Sequence, residues 1–187
     1  LNDVSKTCVS RLSGEEVYNK LTAWAKEFDG EFFTLLTRDG DYTKAMLSID
    51  RDVPKPRKDI AKWNETKDYF SYFFNELYSN KLVLPENISP CDAKEFLKRY
   101  KTVYNVSDDR QQWFDKIKSI APEIGFAAET KQYKAEPEKY KGHAGDLSTV
   151  LRITVTGRRN TPDLCSIMKV LGYDTCIARI EKAINTL

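Results

Sequence analysis

The sequence predicts an all-α protein, a helical bundle or cage of two consecutive helical subdomains. Three observations predict it. Apolar residues recur at three- and four-residue intervals along most of the 187 residues, the period of an amphipathic helix. Helix-start signals stand just ahead of those stripes, and Pro or Gly follows several of them. The composition, 41% hydrophobic and 31% charged, suits a soluble globular chain with a core to bury and a solvated surface. A short polar link near 105–107 places the boundary, giving subdomains 1–105 and 106–187.

In chain order, Ser13 and Glu16 form a capping box ahead of a stripe through Val17, Leu21, Trp24, Ala25 and Phe28. Asp39-Gly40-Asp41 reads as a turn, and Tyr42, Ala45, Met46 and Ile49 as a second stripe. Pro54 and Pro56 break that helix. Tyr69, Phe70, Tyr72, Phe73 and Phe74 predict an aromatic-dense core helix, and residues 80–88 a loop. Ser89-Pro90 starts the next helix, with Ala93, Phe96, Leu97 and Tyr100 on its apolar face. Ser107-Asp108-Asp109 caps another, carrying Trp113, Phe114, Ile117 and Ile120, which Pro122 ends. Residues 122–141 are polar and lysine-rich. Between Gly145 and Gly157 the reading divides: Ile153-Thr154-Val155-Thr156 leans slightly to strand by propensity, whereas Leu147, Val150, Leu151 and Thr154 fit a helical face. Thr161-Pro162-Asp163 starts a helix with Leu164, Ile167, Met168 and Leu171 inward, and Gly172 fits a left-handed position after its last turn. A final helix from about Asp174 carries Ile177, Ile180 and Ile184.

The residues exclude more chemistry than they assign. The apolar runs are too short for a membrane helix. No signal peptide is read at the start, and a first residue of Leu rather than Met suggests an excised fragment. Cys8, Cys91, Cys165 and Cys176 lack zinc spacing, so no metal site is expected; they read as reduced core thiols of a cytoplasmic protein. The single histidine, His143, reads as a surface or capping residue, and no glycine-rich phosphate loop is present. No catalytic residue is assigned. A net charge of +2 says little about partners, so its distribution matters more. Arg152, Arg158 and Arg159 gather around the helix start at Thr161, where unpaired N–H groups and guanidinium faces could meet phosphate or an unstacked base. On spacing alone, an ordinary cap with surface arginines explains them better. Arg51, Lys55, Arg57 and Lys58 form a second basic cluster around the proline loop, with solvated charge the default reading. A helical protein-interaction module and a stand-alone enzyme stand as rivals to RNA binding.

Residues 145–184 read GDLSTVLRITVTGRRNTPDLCSIMKVLGYDTCIARIEKAI. The pairs Gly145-Asp146, Leu151-Arg152, Thr156-Gly157, Thr161-Pro162 and Leu171-Gly172 are followed by Arg179-Ile180-Glu181 and Ala183-Ile184. In order and spacing this resembles the C-terminal signature of bacterial-type glutamyl-tRNA synthetases. Upstream, Trp24-Ala25, the helix to Arg51, Lys58-Asp59-Ile60 and Tyr72-Phe73-Phe74 resemble the first half of the same region. The resemblance implies an all-helical anticodon-binding region, with helix at 146–156 against the propensity. It implies that the second subdomain reads the first two anticodon bases, with Arg152 and Thr161 at base-contacting positions and Pro162 and Leu164 as their neighbours. Arg51 is the nearest candidate for the arginine that reads the third base in discriminating enzymes, although the prolines after it depart from the family pattern. Arg158, Arg159, Lys55, Arg57 and Lys58 are the candidate phosphate contacts. The implied partner is glutamate tRNA at its anticodon loop, bound by a monomer in the cytoplasm with no membrane involved. No H-I-G-H-like or K-M-S-K-S-like segment occurs in these residues. Glutamate activation, with its ATP and Mg, therefore belongs to a catalytic part outside them, and no cofactor is expected here.

Overall fold

A computed structural model describes residues 1–187 as eleven α-helices with short 3₁₀ turns and a single isolated β-bridge. The chain divides into two compact units, Leu1–Ser79 and Asn80–Leu187. The division therefore falls before the helix at 90–103, and the polar link near 105–107 lies inside the second unit.

In the first unit, α1 (Asn2–Ser10) precedes α2 (Gly14–Phe28), α3 (Gly30–Arg38) and α4 (Gly40–Ser48). The Ser13 box forms as read: Ser13 Oγ accepts from the Glu16 amide at 3.2 Å, and Glu16 Oε2 from the Ser13 amide at 2.8 Å. Two aspartates separate α2, α3 and α4. Asp29 and Asp39 each end one helix and cap the next, accepting from the Phe32 and Tyr42 amides at 3.0 Å. The core joins Val17, Leu21 and Ala25 of α2 to Phe32, Leu36, Met46 and Leu47. Ala45, expected on the inner face of α4, is exposed, and Thr43 takes the inward position by donating its hydroxyl to the Leu36 carbonyl at 2.8 Å.

The expected aromatic helix is only one turn, α5 (Thr66–Tyr69), followed by a 3₁₀ turn at Ser71–Phe73. Burial is the reason. Phe70, Tyr72, Phe73 and Phe74 are all at most 5% exposed, and consecutive positions cannot share one face of a regular α-helix. Tight turns let successive rings enter the same core, where Phe74 meets Phe32 edge-on at 6.2 Å.

The second unit contains α6 (Pro90–Val103), α7 (Arg110–Glu123), α8 (Thr130–Ala135), α9 (Ala144–Thr156), α10 (Leu164–Leu171) and α11 (Tyr173–Thr186). α6 packs on α7, α9 and α11 and buries Ala93, Phe96, Leu97 and Tyr100 there, which is why it belongs to this unit. Pro122 lies in the last turn of α7 instead of stopping it.

α9 settles the divided reading as helix. Leu147, Val150, Leu151, Ile153, Thr154 and Val155 are all at most 2% exposed, so the helix is enclosed on nearly every side. Packing of that extent outweighs the slight strand preference of β-branched residues. His143 is its N-cap, with Nδ1 accepting from the Gly145 amide at 3.0 Å and Asp146 accepting from the His143 amide at 2.9 Å. Gly157 ends it in the left-handed conformation, φ 74° and ψ 6°, which a Cβ disfavours. Gly172 also has positive φ, but its ψ of 164° is extended, not left-handed helical, because the chain turns straight into α11. Of the four thiols only Cys165 and Cys176 are buried; Cys8 and Cys91 are exposed on helix surfaces. No helix is long and apolar enough to cross a membrane.

Candidate nucleic-acid interface

The last turns of α9 and the loop 157–163 build the site in the second unit. Arg152 is half-buried on α9. Its Nη1 donates to the Pro162 carbonyl at 2.8 Å, to the Thr161 carbonyl at 3.4 Å and to the Thr161 hydroxyl. That hydroxyl donates in turn to the Pro162 carbonyl at 2.9 Å. Positions matched on sequence are thus joined in space by a charge-assisted clasp. Thr161, Pro162 and Leu164 are buried, so their side chains set the course of the loop. Gly157, Arg159 and Asn160 are the exposed part of it, and Arg158 is half-buried.

The α10 N-terminus differs from the sequence reading. Asp163, not Thr161, is the cap, and its Oδ2 accepts from the Ser166 amide at 2.9 Å and the Ser166 hydroxyl at 2.6 Å. Arg110, at the start of α7, pairs with Oδ1 at 3.2 Å. A carboxylate of the protein therefore already occupies the positive end of this helix, and what the loop leaves exposed is main chain and the Arg159 side chain. Arg159 extends along the surface and donates from Nη2 to the Leu84 carbonyl at 2.9 Å. Arg110 and Leu84 escaped sequence reading because their partners lie far away in the chain, whereas Asp163 was read as part of the helix start but not as its cap. Only the Asp163-x-x-Ser166 spacing signalled a cap.

The basic cluster of the first unit is more structural than its composition suggests. Arg51 is half-buried, and its Nε donates to the Leu47 carbonyl at 2.6 Å. Its Nη1 reaches the Val9 carbonyl at 2.9 Å and the Leu12 carbonyl at 3.4 Å. Burial lowers its pKa, opposed by the nearby Asp59 and Asp52. The guanidinium thus ties the end of α4 to the α1–α2 turn. Arg57 makes a forked pair with Asp59, at 2.7 and 3.1 Å, which raises the arginine's pKa. Lys55 and Lys58 are exposed.

The second unit thus presents an arginine-held loop beside a capped helix. The family model described as an anticodon binding domain matches residues 16–184, and the chain belongs to that family. Among curated relatives, the glutamate–tRNA ligase of Acetivibrio thermocellus is 42% identical over 182 residues, which are 97% of this chain and 33% of the relative. That of Clostridium perfringens strain SM101 is 40% identical over 97% of the chain and 34% of the relative. That of Sorangium cellulosum is 42% identical over 97% of the chain and 32% of the relative. The chain is thus an anticodon-binding domain homologous to part of the glutamate–tRNA ligases and spans about a third of their length, with no catalytic domain among its residues.

Proposed function

We propose that the chain binds glutamate tRNA at its anticodon loop, as the C-terminal anticodon-reading part of a glutamate–tRNA ligase. The observation that carries this reading is the similarity to glutamate–tRNA ligases over 97% of the chain. The clasp joining Arg152 to Thr161 and Pro162 supports it at the level of residues. In this reading Arg152 and the Thr161–Pro162 main chain form the edge that meets the first two anticodon bases. Leu164 anchors that edge from below. Arg158 and Arg159 face the RNA backbone, as do Lys55 and Lys58 in the first unit. Arg51 and Arg57 shape the first unit's loop, and a third-base contact by Arg51 requires one of its main-chain bonds to yield. The parent enzyme joins glutamate to its tRNA with ATP and Mg in a separate catalytic part, and acts as a cytoplasmic monomer.

Bases of a single-stranded loop are splayed outward and read by hydrogen bonds and stacking. Phosphate contacts add affinity that weakens with salt. Filter binding of the 187-residue chain to glutamate tRNA, beside a tRNA of unrelated anticodon, tests the proposal. Tighter binding of glutamate tRNA, retained when salt is raised, is expected. Equal affinities across the salt series contradict it.

A further inference from the structure

The carbonyls at the end of any helix have no partner within it. In α9 they are satisfied by the capping glycine and by two residues distant in sequence. Gly157 donates its amide to the Ile153 carbonyl at 2.8 Å. Asn80, the first residue of the second unit, donates from Nδ2 to that same carbonyl at 2.7 Å and to the Thr154 carbonyl at 3.2 Å. Arg179 of α11, 6% exposed, donates to the Val155 carbonyl at 2.6 Å, placing a cation at the negative end of the helix. On its other side, Asn80 Oδ1 accepts from the Leu82 amide at 2.7 Å. Both ends of the amide are therefore fixed, since a flipped group would face oxygen to two carbonyls.

The segment after Asn80 is held in an unfavourable conformation. Leu82 has φ 50°, in the left-handed region that a branched side chain rarely enters. Such a residue persists where its surroundings over-determine it. Two bonds do so here: Asn80 to the Leu82 amide, and Arg159 to the Leu84 carbonyl. One end of this strap thus grips the last turn of α9, and the other is gripped by the loop after that helix.

We propose that Asn80 is a positioning residue for anticodon reading. By clasping α9 through the strap 80–84 it holds loop 157–163 in the conformation that meets RNA. Its contribution is to shape and not to contact, and it rests on the anticodon-reading function proposed above. Loss of the clasp loosens the loop and reduces discrimination between anticodons, while leaving charge-driven RNA binding intact.

The test uses the 187-residue chain as wild type, Asn80→Ala and Asn80→Ser; the milder serine variant carries the test if the alanine variant does not fold. Affinities are measured for the glutamate anticodon stem-loop and for the same stem with a scrambled loop, alongside amide hydrogen exchange. The expected result is a fall of about tenfold in the affinity ratio, within the range seen when coupling residues are changed. Affinity for the scrambled loop and its salt slope stay unchanged, and the amides of 157–161 exchange faster. A wild-type ratio preserved in both folded variants overturns the positioning role alone. So does an equal loss for both RNAs. Wild-type protein that does not distinguish the two loops overturns the anticodon-reading proposal and this one with it.

Discussion

Arg152→Lys and Arg152→Ala separate two roles that the Arg152 clasp combines. The guanidinium makes one well-formed bond to the Pro162 carbonyl at 2.8 Å, one to the Thr161 hydroxyl, and a marginal one to the Thr161 carbonyl at 3.4 Å. Hydrogen bonds to charged groups contribute about 1.5–3 kcal/mol each. The side chain is half-buried, so water takes over part of that on truncation. Arg152→Ala is therefore expected to destabilise the second unit by about 2 kcal/mol, the scale of a lost buried network. Lysine keeps the charge and one bond but loses the other, so Arg152→Lys is expected to cost about 1 kcal/mol. If the guanidinium also reads a base, both variants lose about 1–3 kcal/mol of preference for the glutamate anticodon loop. Urea denaturation gives the first quantity, and titration with matched and scrambled stem-loops the second. An Arg152→Lys protein with wild-type anticodon preference would refute the reading role. An Arg152→Ala protein with an unchanged midpoint would refute the clasp.

Other positions give independent checks. Gly157→Ala places a Cβ at φ 74° and should cost about 1–2 kcal/mol in urea denaturation, without a change in fold by circular dichroism. Arg51→Ala removes a half-buried group from three main-chain carbonyls and should destabilise the first unit by about 2 kcal/mol, measured by thermal unfolding. The Asp29 carboxyl is held below its ordinary 3.8, first by its hydrogen bond to Lys67 and then by the Phe32 amide. A depressed carboxyl stabilises the fold above its unfolded pKa, and that contribution disappears as pH falls through the folded value. Wild type should thus exceed Asp29→Asn in stability at pH 7, with the gap closing below about pH 4. A gap that persists at pH 2 would rule out the ion pair as its source.

Local rules carried much of the fold. Ser13, Ser89 and Asp109 mark helix starts where side-chain chemistry requires them, and the structure uses each. The rules gave out where packing decides. The β-branched run 153–156 became helix because α9 is enclosed by its neighbours, which no window of sequence reveals. The aromatic segment 69–74 matched no helical face because Phe70, Tyr72, Phe73 and Phe74 all turn inward. The polar link at 105–107 looked like a boundary, but the apolar face of α6 commits it to the second unit. At the site, motif positions located Arg152, Thr161 and Pro162, and the fold brought them into contact. Asn80 and Arg179 stayed invisible, since an asparagine in a loop and an arginine on a helix carry no mark of distant carbonyls that need donors. The Arg51 cluster read by default as solvated charge, whereas Arg51 is engaged by main chain and Arg57 by Asp59.

The central claim is that loop 157–163 and Arg152 meet the anticodon. Amide and arginine side-chain NMR shifts of the 187-residue chain, tracked during titration with the glutamate anticodon stem-loop and then with its scrambled counterpart, test it most directly. Saturable shifts concentrated at 157–164 and the Arg152 guanidinium, with the matched loop alone, are the predicted result. Shifts of equal size with both loops, or shifts confined to other surfaces of the chain, would contradict it.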